Sequence, residues 1–325
     1  MKHNLNRREF IAVTSSLAAA AAVTRPARAA EPSPFTTALK KAMIVGGAPA
    51  AAQLEELKAA GFDGVEAGVV GIEDAAKGRE AAEKLGMRVH SVLRGWAEFN
   101  SEDPQKHQDS FAATENALRA AQAFGADAVL LVPCRIGGMP MPRPWEFLID
   151  FDHATGHIRR VTAGDNAPFR KYIEAHNHAT DTSKEAVKRL VPLAEKCGVV
   201  IALENVWNNL WVQPAIFRNF IASFQSPWVK AYFDIANHVK YGRPEEWILT
   251  LDELLAKIHV KEFKINPADP RGEGDWPQIR DGSVRWPVVR QALERVNYNG
   301  WMTIEGGNLP LKELSSRLDL IIAGK

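Results

Sequence analysis

Short apolar, β-rich runs alternate along the chain with stretches whose apolar positions recur at three-and-four spacing. The runs are AMIVGG (42–47), GVEAGVV (64–70), RVHSVL (88–93), AVLLVP (128–133), VVIALEN (199–205), VKAYFDIAN (229–237), KIHVKEF (257–263) and GWMTIEG (300–306). Helical stretches between them include AAAQLEELKAAG (50–61), EDAAKGREAAEKLG (73–86), DSFAATENALRAAQAFG (109–125) and SKEAVKRLVPLAEKCG (183–198). Gly61, Gly86, Gly125 and Gly198 stand where a helix ends in a left-handed residue. Eight strands alternating with helices predict an α/β fold, a (β/α)8 TIM barrel. A doubly wound sheet is the runner-up. It requires a Gly-rich phosphate turn after an early strand, and GGAPAAAQ (46–53) is a poor version of one.

KIHVKEF sharpens the choice. Side chains alternate along a strand, so Ile258 and Val260 share one face while His259, Lys261 and Phe263 share the other. A barrel strand buries both faces and projects functional groups inward at its C-terminal end. His259 and Lys261 are therefore expected in the barrel mouth, with Ile258 and Val260 against the helices. Two connections are unusually long. Residues 134–182, with CRIGGMPMPRPWEF, and residues 265–285 both follow strands on that side, and a lid or binding loop is expected of each. HNH at 176–178 is expected in the first of these loops and not as a metal ligand.

Composition narrows the function. Apolar residues make up 46% of 325, enough for a sizeable core. Lys+Arg is 40 against Asp+Glu 39, so the basic footprint of a nucleic-acid binder is missing. Cys134 follows the fourth strand and Cys197 precedes the fifth, which predicts opposite ends of the barrel and no disulfide.

The first 29 residues form a segment apart from a barrel domain over 30–325. A basic start, an apolar run from Phe10 to about Val23 and Ala27-Arg28-Ala29 have the layout of a signal peptide with its cleavage site. The run is too short and too rich in Ser, Thr and Ala for a membrane span. Arg7-Arg8 before Glu9-Phe10-Ile11 resembles a twin-arginine signal, which predicts export in the folded state to the periplasm or beyond, through the twin-arginine machinery. Without Lys2, Arg7, Arg8, Glu9, Arg25 and Arg28 the formal charge of +1 becomes −3.

Strands five to eight each close on a lone polar side chain: Glu204 in ALEN, Asp234 in FDIAN, His259 in HVKEF and Glu305 in MTIEGG. Converging at one end of a barrel, three carboxylates and an imidazole form a mostly oxygen site for one divalent cation. Mn²⁺, Mg²⁺ or Co²⁺ suits it, and Zn²⁺ also fits. Around it, Lys261, His90 and Glu66 are candidates to contact a substrate or its intermediate, and Arg94, Trp96 and Trp207 lie just beyond strand ends, where an aromatic face can stack on a substrate ring. Structural roles, such as a salt bridge for Lys261 or plain core packing for His90 and the tryptophans, stand as the alternatives.

These pieces, with the GEGD…W loop (272–286) and YNGWMTIE (298–305), resemble the xylose-isomerase-like TIM barrels that include sugar-phosphate isomerases and ketose 3-epimerases. The resemblance covers most of residues 40–306. It implies that Glu204, Asp234, His259 and Glu305 hold the metal and that Glu204 and Glu305 transfer protons through a metal-stabilised enediolate of a keto-sugar. One departure stands out. Where ketose 3-epimerases place a substrate-contacting histidine after the strand-six aspartate, this chain has Asn237, with His238 next to it as the substitute candidate. Endonuclease IV shares the fold, but its Asp-x-His is missing between His259 and Glu305. An isomerase or epimerase is the leading expectation. A lyase or hydratase of 3-keto-sugars or 3-keto-glycosides comes next, then a non-catalytic sugar-binding barrel.

Overall fold

The structure, a computed structural model, describes residues 35–269 and 272–325. The expected export segment, residues 1–29, lies outside them. Residues 36–325 form one compact unit. Eight parallel strands close into a barrel: β1 (Leu39–Ile44), β2 (Gly64–Gly68), β3 (Arg88–Trp96), β4 (Ala128–Val132), β5 (Val200–Leu203), β6 (Val229–Asp234), β7 (Leu255–Val260) and β8 (Gly300–Ile304). Each strand pairs with its neighbours in sequence, and β8 closes on β1. The helices that follow are α1 (Ala51–Ala59), α2 (Ile72–Lys84), α3 (Pro104–Phe124), α4 (Arg170–Cys197), α5 (Pro214–Ala222), α6 (Pro244–Leu251), α7 (Trp286–Arg295) and α8 (Leu311–Ile322). The fold is the expected (β/α)8 barrel.

Local chemistry sets the helix ends. Asp103 caps α3 by accepting from the Gln105 N–H at 2.9 Å, and Pro104 supplies the first turn. Gly125 and Gly198 end α3 and α4 with φ of 70° and 67°.

The alternation read from KIHVKEF is present in the packing. Ile258 and Val260 join the large core between strands and helices. Ala128, Leu130, Val132, Ala202 and Tyr232 form a separate cluster inside the barrel. Lys257, on the same face as His259, is buried at the opposite end and pairs with Asp127 at 2.5 Å. Gly64 is required there because a Cβ would lie 2.4 Å from the Arg88 carbonyl and 2.6 Å from the Trp301 ring.

The first long connection ends earlier than the expected 182. It carries a two-stranded hairpin, Asp150–Phe151 against Ile158–Arg160, and stops where α4 begins at Arg170. HNH is therefore on a helix, not in a loop. Residues 170–182 are rich in His, Asn and Thr, which have modest helix propensity. Burial of Tyr172, His176, Ala179 and Thr180 holds them helical. His176 accepts from the Trp211 N–H at 3.2 Å and serves the fold. The second connection folds as a hairpin of Lys264–Ile265 with Gly274–Asp275. Cys134 and Cys197 are both free and buried.

Candidate metal centre and active site

The four strand-end side chains meet at the C-terminal end of the barrel. Parallel register sets Asp234, His259 and Thr303 level on β6, β7 and β8. Glu204 and Glu305 extend the ladder past β5 and β8, their N–H groups bonded to the Leu131 and Val260 carbonyls. One ligand atom each from Glu204, Asp234 and His259 lies within 4.8 Å of the others, and all three residues are buried. Glu305 joins them, with Oε2 3.2 Å from His259 Nδ1 and Oε1 accepting from Lys261 Nζ at 3.1 Å.

The hydrogen bonds select which atoms remain for a ligand. Asp234 Oδ1 accepts from the N–H groups of Ala236 and Asn237 at 2.8 Å, while its Oδ2 is buried without a partner. His259 Nε2 faces Glu66 Oε2 at 2.6 Å, and Nδ1 has no hydrogen bond. Nε2 thus keeps its proton towards Glu66, and Nδ1 is the atom turned to the cluster, able to ligate once its own proton is displaced. Asn237 Nδ2 donates to Glu204 Oε1 at 3.2 Å. Orphaned buried oxygen and nitrogen atoms beside two further carboxylates fit a divalent cation.

Electrostatics separates the carboxylates. Burial pushes Glu204 up to about 8, and burial, reinforced by Glu305, pushes Asp234 up to about 7. Burial would also raise Glu305, but His259, Asp234 and Lys261 together hold it well below the usual carboxylate range. Burial alone would lower His259, yet the Glu66 and Glu305 carboxylates lift it well above an ordinary imidazole. Burial and crowding thus favour the protonated forms of Glu204 and Asp234, while Glu305 is the carboxylate held ionised.

Other candidates divide. Lys261 is at the mouth, between Glu305 and the Trp276 ring at 4.5 Å. Trp207 is also at the mouth, packed on Phe263 and Trp276 at 5.6 and 5.1 Å, and a cavity of about 120 Å³ lined by Lys261, Trp276 and Glu305 lies beside it. Glu66 does not end its strand. It sits in the middle of β2, fully buried behind His259, and accepts from Ser91 Oγ at 2.6 Å. His90 is in the barrel interior, not the mouth: it lies near the start of β3, stacks on Trp301 at 4.5 Å and bonds Thr303 Oγ1 at 2.9 Å. His238 packs in an aromatic cluster with Trp247 at 4.3 Å, and burial pushes it down to about 3. β3 runs on to Trp96, so Arg94 and Trp96 belong to the strand. Arg94 donates to the Trp96 carbonyl at 2.6 Å, and Trp96 is exposed.

The sequence reading gave no role to Glu262, although it stands in HVKEF. The strand ends at Val260, so alternation no longer applies to it. Its buried carboxylate accepts from the N–H groups of Phe263, Arg280 and Val284 and from Trp286 Nε1, at 2.9–3.2 Å. One side chain thus folds the second long connection over the mouth. Gly282 is needed beside it, because a Cβ would lie 2.4 Å from Glu262 Cγ.

The family profile described as xylose isomerase-like TIM barrel matches residues 54–319. The chain belongs to this family. No curated protein matches it. Among solved structures, this xylose isomerase-like barrel is similar to a D-tagatose 3-epimerase-like protein, with TM-score 0.64 and 15% identity over 87% of this chain and 98% of that one. It is similar to 3-keto-D-glucoside 4-epimerase from E. coli, at 0.63 and 14% over 87% and 98%. A xylose isomerase domain protein from Planctomyces limnophilus matches at 0.61 and 17% over 90% and 97%. At these identities the likeness is one of fold.

Proposed function

We propose that the protein is a divalent-metal-dependent isomerase or epimerase of a keto-sugar or sugar derivative. The carrying observation is the meeting of Glu204, Asp234 and His259 with Glu305 at the barrel mouth. Family membership, and solved neighbours described as sugar epimerases, support the reading. Glu204, Asp234, His259 and Glu305 would hold the cation, which supplies a fixed positive charge beside the substrate oxygens. Mn²⁺, Mg²⁺ and Co²⁺ suit the oxygen-rich donors, and Zn²⁺ also fits.

The protein's own groups supply the proton path. Glu204 and Glu305 stand at the two ends of the arc formed by β5 to β8, so they bracket the Asp234–His259 pair. Glu305, held ionised by His259 and Lys261, takes the proton from the carbon beside the carbonyl, whose electron pair moves onto the carbonyl oxygen. Glu204, at the other end of that arc, is placed to return a proton to that carbon from the other side. Lys261 orients Glu305, and Trp207 and Trp276 offer faces for the sugar.

Glu204→Gln and Glu305→Gln test this, since each keeps a ligand oxygen and removes the base. Each variant is expected to retain metal and to lose turnover by roughly 10²-fold or more. Metal-replete variants that work at the parent rate would remove both residues from the chemistry. A lyase or hydratase of 3-keto-glycosides is the second reading, favoured by Asn237 where ketose 3-epimerases carry a histidine. Turnover in deuterated water distinguishes them: epimerisation returns an isomer carrying deuterium, and elimination changes the mass by water or an aglycone. Metal analysis that finds no bound cation would favour a sugar-binding barrel.

Export through the twin-arginine route belongs to the same proposal. Arg7→Lys with Arg8→Lys is expected to leave the precursor in the cytoplasm, and normal export of that variant would argue for the general secretory route.

A further inference from the structure

The first long connection, with the segments that follow β5 and β6, builds a second cavity outside the metal cluster. It measures about 280 Å³ and is lined by Met141, Pro142, Arg143, Pro144 and Phe147 from the first connection, and by Asn209, Lys240 and Tyr241. Its apolar lining comes from Met141, Pro142, Pro144, Phe147 and the Tyr241 ring, and its charged groups are both cationic. Lys240 Nζ lies 3.5 Å from the centre of the Trp207 ring and 5.0 Å from that of Tyr241. No carboxylate pairs with Lys240 among the described residues; Glu273 and Arg135 are the charges that act on it. Arg143 stacks on Trp145 and pairs with Glu146.

The cavity is linked to the metal cluster by direct contacts. Lys240 covers Trp207, Trp207 Nε1 donates to the Asn237 carbonyl, and Asn237 Nδ2 donates to Glu204. Trp207 and Asn237 are thus the residues that stand between the cluster and the cavity. A half-buried ammonium on an aromatic face has lost water, and among the described residues no carboxylate is in ion-pair contact with it, Glu273 acting only from further away, which leaves its N–H donors open to an anion.

We propose that this cavity binds the aglycone of a glycoside substrate, and that the aglycone is a flat apolar group bearing a carboxylate, recognised by Lys240 with Arg143 at the rim. The apolar walls take the ring, and the ammonium accounts for the acid. The inference rests on the sugar-processing reading of the metal cluster and names the substrate class for it.

The test uses a matched pair of probes on the full, metal-loaded chain: 4-carboxyphenyl β-glucoside and its carboxamide, with binding followed by tryptophan fluorescence and calorimetry. The acid is expected to bind about 10- to 100-fold tighter than the amide, the scale of a hydrogen bond to a charged group. Lys240→Met is expected to bring the acid down to the amide's affinity, and Lys240→Arg to restore the preference. Equal binding of acid and amide by the parent protein overturns the proposal. So does a Lys240→Met variant that weakens both equally, because that marks a packing role on Trp207. If no keto-sugar or keto-glycoside is turned over, the catalytic reading fails, while the acid-to-amide ratio still decides the subsite.

Discussion

Glu66→Gln isolates the group that orients the imidazole proposed to bind the metal. In the parent, His259 Nε2 donates to Glu66 Oε2 at 2.6 Å, with both side chains out of water, and Ser91 Oγ donates to Glu66 Oε1 at 2.6 Å. Glutamine has nearly the same shape. Its oxygen can still accept from Nε2–H, and its amide can donate to Ser91 Oγ, so the fold is retained. What disappears is the charge that makes the imidazole a stronger donor to a cation. The flipped amide is worse, because its N–H groups would face Nε2, move the imidazole proton to Nδ1 and block the ligand atom. Loss of such a partner weakens metal binding by about 10- to 100-fold, or about 1.4–2.7 kcal/mol. The assay is competition of the metal-free chain against a chelator of known affinity, with circular dichroism confirming the fold. An unchanged affinity would refute the claim that Glu66 sets the tautomer of His259. Glu66→Ala is a poorer probe, because leaving a buried imidazole unpaired costs about 3–5 kcal/mol of stability.

Further outcomes follow from the same groups. Glu204 and Asp234 titrate at about 8 and about 7, so a cation must displace protons from the site at neutral pH. Metal affinity should rise between about pH 6 and pH 8, with proton release measured by calorimetry in buffers of different ionisation enthalpy. The sign for stability is opposite. Above the ordinary carboxyl range the folded state holds more protons than the unfolded one, so the melting temperature of the metal-free protein should fall as pH rises towards 8, and metal should reverse the fall. Glu262→Gln sets an amide N–H₂ against two of the four donors that the carboxylate now satisfies. A loss of about 1–3 kcal/mol is expected, with faster proteolysis within 272–286. Unchanged proteolysis there would mean that Glu262 does not hold that loop.

The chain's own pattern determined the barrel and the ends of four strands. Apolar alternation is local, with a period of two, so Glu204, Asp234, His259 and Glu305 stand out as the polar residues closing otherwise apolar runs. Barrel closure brings those ends together in any chain with this rhythm, and for that reason the cluster was legible without coordinates. Contacts set by distant pairing were not legible. Glu66 reaches His259 across 193 positions of sequence, and nothing near either residue announces the partner. His90 lies on an inward face like His259, but near the start of its strand, so it meets Trp301 and not the mouth. His238 sits beside Asn237, yet only the asparagine turns to Glu204. Residues 170–182 have weak intrinsic helix preference and are helical because their buried side chains are covered by the rest of the fold. Glu262 and Lys240 lie beyond strand ends, where alternation stops assigning faces, and only the packing of the loops gave each its neighbours.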